Sequence, residues 1–215
     1  MLLEVERKFC PSAAGLITCN AGSPPFRQIL RHRRQVFRDV YYDHGRFLRN
    51  AGVWLRRRNK RWEAKLKVGG DYKYSQFQEV KGKTAIDAAI AKHLQGLISR
   101  TGPRHLDLPL FLGACRIEPV ADIETMRDSW TADDEYTIVI DTTDFGHTVG
   151  EVELEHNHPE LVQEDAKNDM LKQMDQKIAV FMQRYAWAFP SGQCKGKLTA
   201  FFEWKNRATE QKPFE

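Results

Sequence analysis

Residues 2–9 read L-L-E-V-E-R-K-F. The alternation has a period of two, which marks a β-strand, because successive strand side chains point to opposite faces. Glu4, Glu6 and Lys8 then share one face, and Leu3, Val5, Arg7 and Phe9 the other. The same charged alternation recurs outward along the chain. Trp54, Arg56 and Arg58 line one face of a strand over 53–59, and Glu63, Lys65 and Lys67 one face over 61–68. Glu79 shares a face with Phe77 and Lys81 over 72–81. Arg127, Asp141 and the run Glu151, Glu153, Glu155 fall in strands read within 116–130, 135–145 and 148–156. An eighth strand is read over 35–42 from the aromatic and β-branched content of Q-V-F-R-D-V-Y-Y.

A solvated outer face explains one such strand. It does not explain the set, in which two separate strands carry E-x-E and two others carry basic residues at period two. Like charges on one strand face repel, so acidic and basic sets of this kind need each other or a ligand. A barrel with a charged interior meets that need, and about eight strands enclose room for one small ligand. Arginines and lysines inside it suit a polyanion, with arginine forking two hydrogen bonds onto phosphate oxygens. The glutamates suit Mg²⁺ or Mn²⁺, hard ions that prefer carboxylate oxygen. Together these parts suit phosphoryl transfer.

Helices sit around this β framework. Thr84 opens T-A-I-D, close to a capping box, and Ile86, Ile90, Leu94, Leu97 and Ile98 follow at helical spacing up to Gly102. A longer helix is expected from Asn157-His158-Pro159, with the stripe Val162, Ala166, Met170, Met174, Ile178, Phe181, Tyr185. A last helix is expected over about 195–206, and residues 11–30, rich in Pro and Gly, read as loop. The expected fold class is α+β: one domain over 1–215, an eight-stranded antiparallel β-barrel with peripheral helices.

Composition agrees. Of 215 residues, 41% are hydrophobic and 29% charged, which supports a core and excludes a disordered chain. No apolar run approaches the length of a membrane span, and the N-terminus is charged from its fourth residue, unlike a signal peptide. A cytoplasmic protein without membrane contact is expected. The four cysteines Cys10, Cys19, Cys115 and Cys194 are scattered, as reduced thiols would be. The net charge of +4 does not demand nucleic acid, and R-H-R-R-Q-V-F-R at 31–38 reads as a solvated strand edge at the barrel rim. Gly82-Lys83-Thr84 is no P-loop, since Phe77 stands where the first glycine is required. His156 and His158 read as surface residues.

L-E-V-E-R-K-F at 3–9 contains E-x-E-x-K, and on it the chain resembles the CYTH superfamily, the triphosphate tunnel metalloenzymes. Within that superfamily it looks like the animal-type thiamine triphosphatases. The supporting segments are F-R-D-V-Y-Y-D at 37–43, W-L-R-R-R at 54–58, W-E-A-K at 62–65, D-T-T-D-F-G-H-T-V-G-E-V-E at 141–153, and Lys197-Leu198. The resemblance implies a barrel that is a triphosphate tunnel and a hydrolase that uses Mg²⁺, with Mn²⁺ as the alternative ion. It implies that Glu4, Glu6, Glu151 and Glu153 bind metal and that Lys8, Arg56, Arg58, Lys65, Arg127 and Lys197 bind substrate. Glu79 matches an acidic tunnel position with a catalytic part, and Lys65 is given a proton-transfer role on the expectation that neighbouring cations ease its deprotonation. The resembling enzymes carry D-x-D before T-x-D-F-G, its first Asp a metal ligand; here the stretch is Val139-Ile140-Asp141, and Asp141 is placed in the metal set as partial compensation. Trp54 is read as a π surface for the cationic ring of thiamine. Partners are confined to a small triphosphate, with a monomeric protein expected. Inorganic tripolyphosphate, a nucleoside triphosphate, cyclic-nucleotide formation and non-catalytic triphosphate binding stand as alternatives.

Overall fold

Nine strands form one sheet in the order β2-β7-β3-β4-β5-β6-β1-β9-β8, and β7 also pairs with β8, so eight of them close into a barrel. The computed structural model describes residues 2–11, 14–71, 74–94, 116–157, 164–190, 192 and 194–210. The strands are β1 (Leu2–Phe9), β2 (Ile29–Arg31), β3 (Gln35–Asp43), β4 (Val53–Arg58), β5 (Arg61–Gly70), β6 (Tyr74–Lys81), β7 (Glu118–Ala132), β8 (Tyr136–Thr143) and β9 (Thr148–Asn157). The helices among the described residues are α1 (Ala14–Cys19), α2 (Phe47–Asn50), α3 (Lys83–Leu94), α4 (Glu164–Arg184) and α5 (Lys197–Glu210). Every pairing is antiparallel.

The barrel keeps its apolar packing on the outside. Leu3, Val5 and Phe9 of β1, Ile138 and Ile140 of β8, and Val152 and Leu154 of β9 pack against Leu171, Met174, Ile178, Phe181 and Tyr185. Arg7 is the polar exception on this face; it forms a bidentate pair with Asp175 of α4 at 2.9 and 2.7 Å. A second outer core joins Val53, Leu55, Ala64, Leu66 and Val80 to Leu48 of α2 and to Ile86 and Ile90 of α3. Each such side chain contributes on the order of 1.5–3 kcal/mol when fully buried. With both helix layers outside, the inner faces are left to the charged residues. At the turn between β4 and β5, Asn59 and Lys60 have φ of 46° and 71°, the two positive values that a tight hairpin turn requires.

The expected strands are all present, with β9 reaching Asn157 and β7 reaching Ala132. The segment read as loop over 11–30 holds α1 and the start of β2, which pairs with the far end of β7. These elements, like α2, are too short to show a periodicity, and long-range contact decides them; Ile17 of α1, for example, is buried in the main core. On α4, Ala166 is exposed, so the apolar stripe meets the core from the half-buried Met170 onward. Leu97, Ile98, Gly102, His158, Pro159, Val162 and Cys115 lie outside the described residues. Cys10, Cys19 and Cys194 form no disulfide in the structure, and Cys10 Sγ lies 2.6 Å from Cys194 Sγ. No helix of the described residues is long and apolar enough to cross a membrane.

Candidate active site

Inside the barrel lies a cavity of about 370 Å³. Its wall follows from register. Antiparallel partners share a face, and Glu6 stands directly opposite both Ser75 and Glu153, Glu4 opposite Phe77 and Glu155, and Lys8 opposite Glu151. Lys65 in turn stands opposite Trp54 and Glu79. Placing Glu6 beside Glu153 on neighbouring strands is unfavourable unless cations neutralise them.

Two clusters result. In the first, Lys65 Nζ lies 2.7 Å from Glu4, 3.3 Å from Glu6 and 3.6 Å from Glu79. Lys8 Nζ lies 2.5 Å from Glu6 and 3.6 Å from Glu151. One carboxylate oxygen from each of Glu4, Glu6 and Glu153 falls within 4.8 Å of the others. Glu4 Oε2 is buried and has no hydrogen-bond partner among the described residues. An orphaned buried oxygen beside two further carboxylates fits a hard divalent cation.

Electrostatics separate these acids. Burial pushes Glu153 up to about 7; Glu151 and Glu6 add to this while Arg127 and Lys65 oppose it. Burial also holds Glu4 well above the usual carboxylate value, against the pull of Lys65. For Glu6 burial is outweighed by Lys65 and Lys8, which hold it down at about 2. The expectation for Lys65 is overturned here. Burial alone would ease its deprotonation, but Glu4, Glu6 and Glu79 surround it and hold the ammonium well above the ordinary lysine value. Three carboxylates crowd it and outweigh the opposing charge of Arg56.

The second cluster is basic. Arg58 forks onto Asp39 at 2.8 and 2.7 Å, and Arg127 onto Asp141 at 2.7 and 2.8 Å. Arg56 bonds Glu63 at 3.0 and 2.9 Å and lies 3.7 Å from Asp39. Lys197, at the start of α5, bonds Asp141. The sequence pattern sets Asp141 among the metal acids, but the structure places it elsewhere. It is fully buried, both oxygens are taken by Arg127 and Lys197, and it anchors the basic cluster. Arg127 links the clusters, 3.9 Å from Glu153.

Val139 faces the cavity side, opposite Glu151 on β9 and Ser129 on β7. It stays out of the outer core that its neighbours Ile138 and Ile140 join. Trp54 lines the cavity, edge-to-face with Phe77 at 5.3 Å between centroids. Leu198, Phe201 and Phe202 of α5 cover the inner wall at Tyr41, Ala121 and Ile123. Sequence reading missed Phe37, Asp39 and Tyr41 in this wall. Their shared i, i+2, i+4 parity on β3 was available, but it shows no charge run to draw attention. The arginines of the basic stretch at 31–38 that form ion pairs do so outside the cavity, Arg31 and Arg34 on Asp128 and Arg38 on Asp122.

A closed antiparallel barrel with E-x-E-x-K at its first strand and an interior lined by both acidic and basic side chains has a counterpart among known families. The CYTH domain profile matches residues 2–185. The chain belongs to the CYTH family. It is 32% identical to the thiamine-triphosphatase of Homo sapiens and 30% identical to that of Macaca fascicularis, in each case over 86% of both chains. Among solved structures it is similar to a putative adenylyl cyclase from Hippeastrum, with a TM-score of 0.52 at 14% identity over 94% of this chain and 96% of that one. A protein from Pyrococcus horikoshii gives a TM-score of 0.51 at 15% identity, over 94% of this chain and 99% of that one. The structural likenesses bear on the fold alone. The acidic and basic residues of the two clusters, Asp39 and Asp141 apart, line the cavity, and Val139 lies on the same strand face as Asp141.

Proposed function

We propose that this protein is a metal-dependent hydrolase that removes the terminal phosphate of an organic triphosphate, with thiamine triphosphate as substrate and thiamine diphosphate and phosphate as products. One observation carries the reading. A single cavity sets the buried acids Glu4, Glu6 and Glu153 against the basic residues Arg56, Arg58, Arg127 and Lys197. The curated relatives named thiamine-triphosphatase support the choice of substrate.

The roles follow from the chemistry. Glu4, Glu6 and Glu153 would hold the ion, with Glu151 beside them, and Mg²⁺ suits their all-oxygen donor set. A divalent ion there supplies charge neutralisation to phosphate oxygens. Arg58 and Arg127 each spend one edge of the guanidinium on a carboxylate and keep further N–H groups for phosphate. Lys8, Lys65 and Lys197 contribute fixed positive charge where negative charge gathers in the transition state. Lys65, held as an ammonium by Glu4, Glu6 and Glu79, orients and neutralises; it is not a base. Glu79 steadies that ammonium from β6. Trp54 and Phe77 form an aromatic corner for the organic moiety, and a cationic ring there gains up to about 2 kcal/mol when desolvated.

Phosphate release from thiamine triphosphate, inorganic tripolyphosphate and ATP, each with Mg²⁺ and with EDTA, tests the reading. The expected result is Mg²⁺-dependent release with thiamine triphosphate preferred. Release from none of the three defeats the enzymatic reading, and preference for tripolyphosphate or ATP defeats the substrate.

A further inference from the structure

Three cations of the basic cluster converge on one aromatic ring. Phe37 of β3 is 5% exposed. Its ring centroid lies 4.0 Å from Arg58 Cζ, 5.2 Å from Lys197 Nζ and 5.4 Å from Arg127 Cζ. The three come from β4, α5 and β7, elements far apart in the chain that this ring brings together. From the convergence we infer that Phe37 is a positioning residue of the polyphosphate clamp, holding Arg58, Arg127 and Lys197 in place by cation–π attraction. The inference rests on the proposed function, in which those cations bind the polyphosphate.

The physical case is one of charge without competition. Three like charges brought together in a buried site repel, and among the described residues Asp39 and Asp141 hold them by direct hydrogen bonds, with Glu153 3.9 Å from Arg127. A further carboxylate against them would add to the balance, but it would take up the N–H groups that phosphate needs and would repel an incoming polyanion. A benzene ring avoids both effects. Its negative π face attracts cations within about 6 Å of the centroid, it carries no net charge, and it accepts no strong hydrogen bond in the guanidinium plane. The two acids therefore fix one edge of Arg58 and of Arg127, the ring draws in the three cations, and the remaining donors stay available. Lys197 gains most from this arrangement. It enters from outside the barrel on α5, and Asp141 and Phe37 together locate its ammonium.

An apolar residue of similar bulk fills the same space without the π face, which separates this role from ordinary packing. The test uses the full-length protein with Phe37→Leu, Phe37→Tyr, and phenylalanines bearing one, two and three ring fluorines installed at position 37 alone. Fluorines withdraw the negative π charge at nearly constant shape. Binding of inorganic tripolyphosphate is followed by calorimetry, steady-state kinetics are run with thiamine triphosphate, and melting curves establish folding. Phe37→Leu is expected to weaken tripolyphosphate binding about tenfold and to raise KM by a similar factor, with kcat changed far less. Phe37→Tyr recovers most of that loss, and affinity falls stepwise with fluorine number. A flat fluorine series in folded protein overturns the inference even if Phe37→Leu fails to fold, and so does wild-type affinity in a folded Phe37→Leu. Failure of the wild-type protein to bind tripolyphosphate overturns the proposed function instead, and this inference with it.

Discussion

Replacing Glu153 with glutamine should make the metal-free protein more stable at alkaline pH while removing its response to metal. Burial, reinforced by Glu151 and Glu6, carries Glu153 from an ordinary value of 4.5 up to about 7. Each unit is worth about 1.4 kcal/mol, so ionised Glu153 costs the metal-free fold roughly 3 kcal/mol above pH 7. The sign follows from linkage. Between about pH 4.5 and 7 the folded state holds a proton that the unfolded chain has released, so stability falls as pH rises through that window and levels off above it. The glutamine amide has no charge to desolvate, and the pull of Arg127 at 3.9 Å is already contained in that shift; the offset comes from the amide NH2, which brings two donors into a buried site that the carboxyl group met with one at most. The net gain at pH 8 in EDTA should then be about 1–2 kcal/mol, or a Tm higher by about 2–8 °C for a domain of this size. Mg²⁺ should act the other way. At a hundredfold excess over Kd it stabilises wild type by about 2.7 kcal/mol, and the Glu153→Gln protein should lose most of this along with Mg²⁺-dependent hydrolysis. Melting curves of both proteins at pH 5.5 and 8, in EDTA and in Mg²⁺, supply the measurement. The reasoning fails if Glu153→Gln in EDTA at pH 8 melts at or below wild type, or if Mg²⁺ stabilises the two alike.

The remaining expectations concern Val139, Arg58 and Trp54. Val139→Asp adds a carboxylate opposite Glu151 on the cavity wall, so the Mg²⁺ concentration giving half-maximal activity should fall and the metal-free Tm should drop; an unchanged or higher Mg²⁺ requirement would remove position 139 from the metal site. Arg58→Lys keeps the charge but loses the fork onto Asp39, and should raise KM for triphosphate about tenfold with kcat less affected, as steady-state kinetics will show. Trp54→Leu should raise KM about tenfold for thiamine triphosphate and leave that for inorganic tripolyphosphate within twofold; equal effects on both would take Trp54 out of recognition of the organic moiety.

Much of the fold was legible in the chain because strand parity is a local property. The alternation in L-L-E-V-E-R-K-F assigns Glu4, Glu6 and Lys8 to one wall whatever β1 pairs with, and W-L-R-R-R does the same for Trp54, Arg56 and Arg58. Parity also places Val139 and Asp141 on a single face before any partner is known. It says nothing about which charge meets which. That depends on register between strands distant in sequence and on the closure of β7 against β8. Closure brings Arg127 onto Asp141, α5 adds Lys197, and together they withdraw it from the acidic cluster of Glu4, Glu6 and Glu153. The pairing of β5 with β6, and of β6 with β1, brings Glu79 and Glu4 up to Lys65 and keeps it charged. The ring of Phe37 gains its three cations from β4, β7 and α5 alike, so no single stretch of chain could reveal it. The sequence alone determined the strands, their charged faces and the kinds of ligand those faces suit, because these follow from side-chain chemistry at fixed spacing. The tertiary structure alone decided charge state and pairing, because Coulomb interaction and burial depend on distances in space that chain position does not specify.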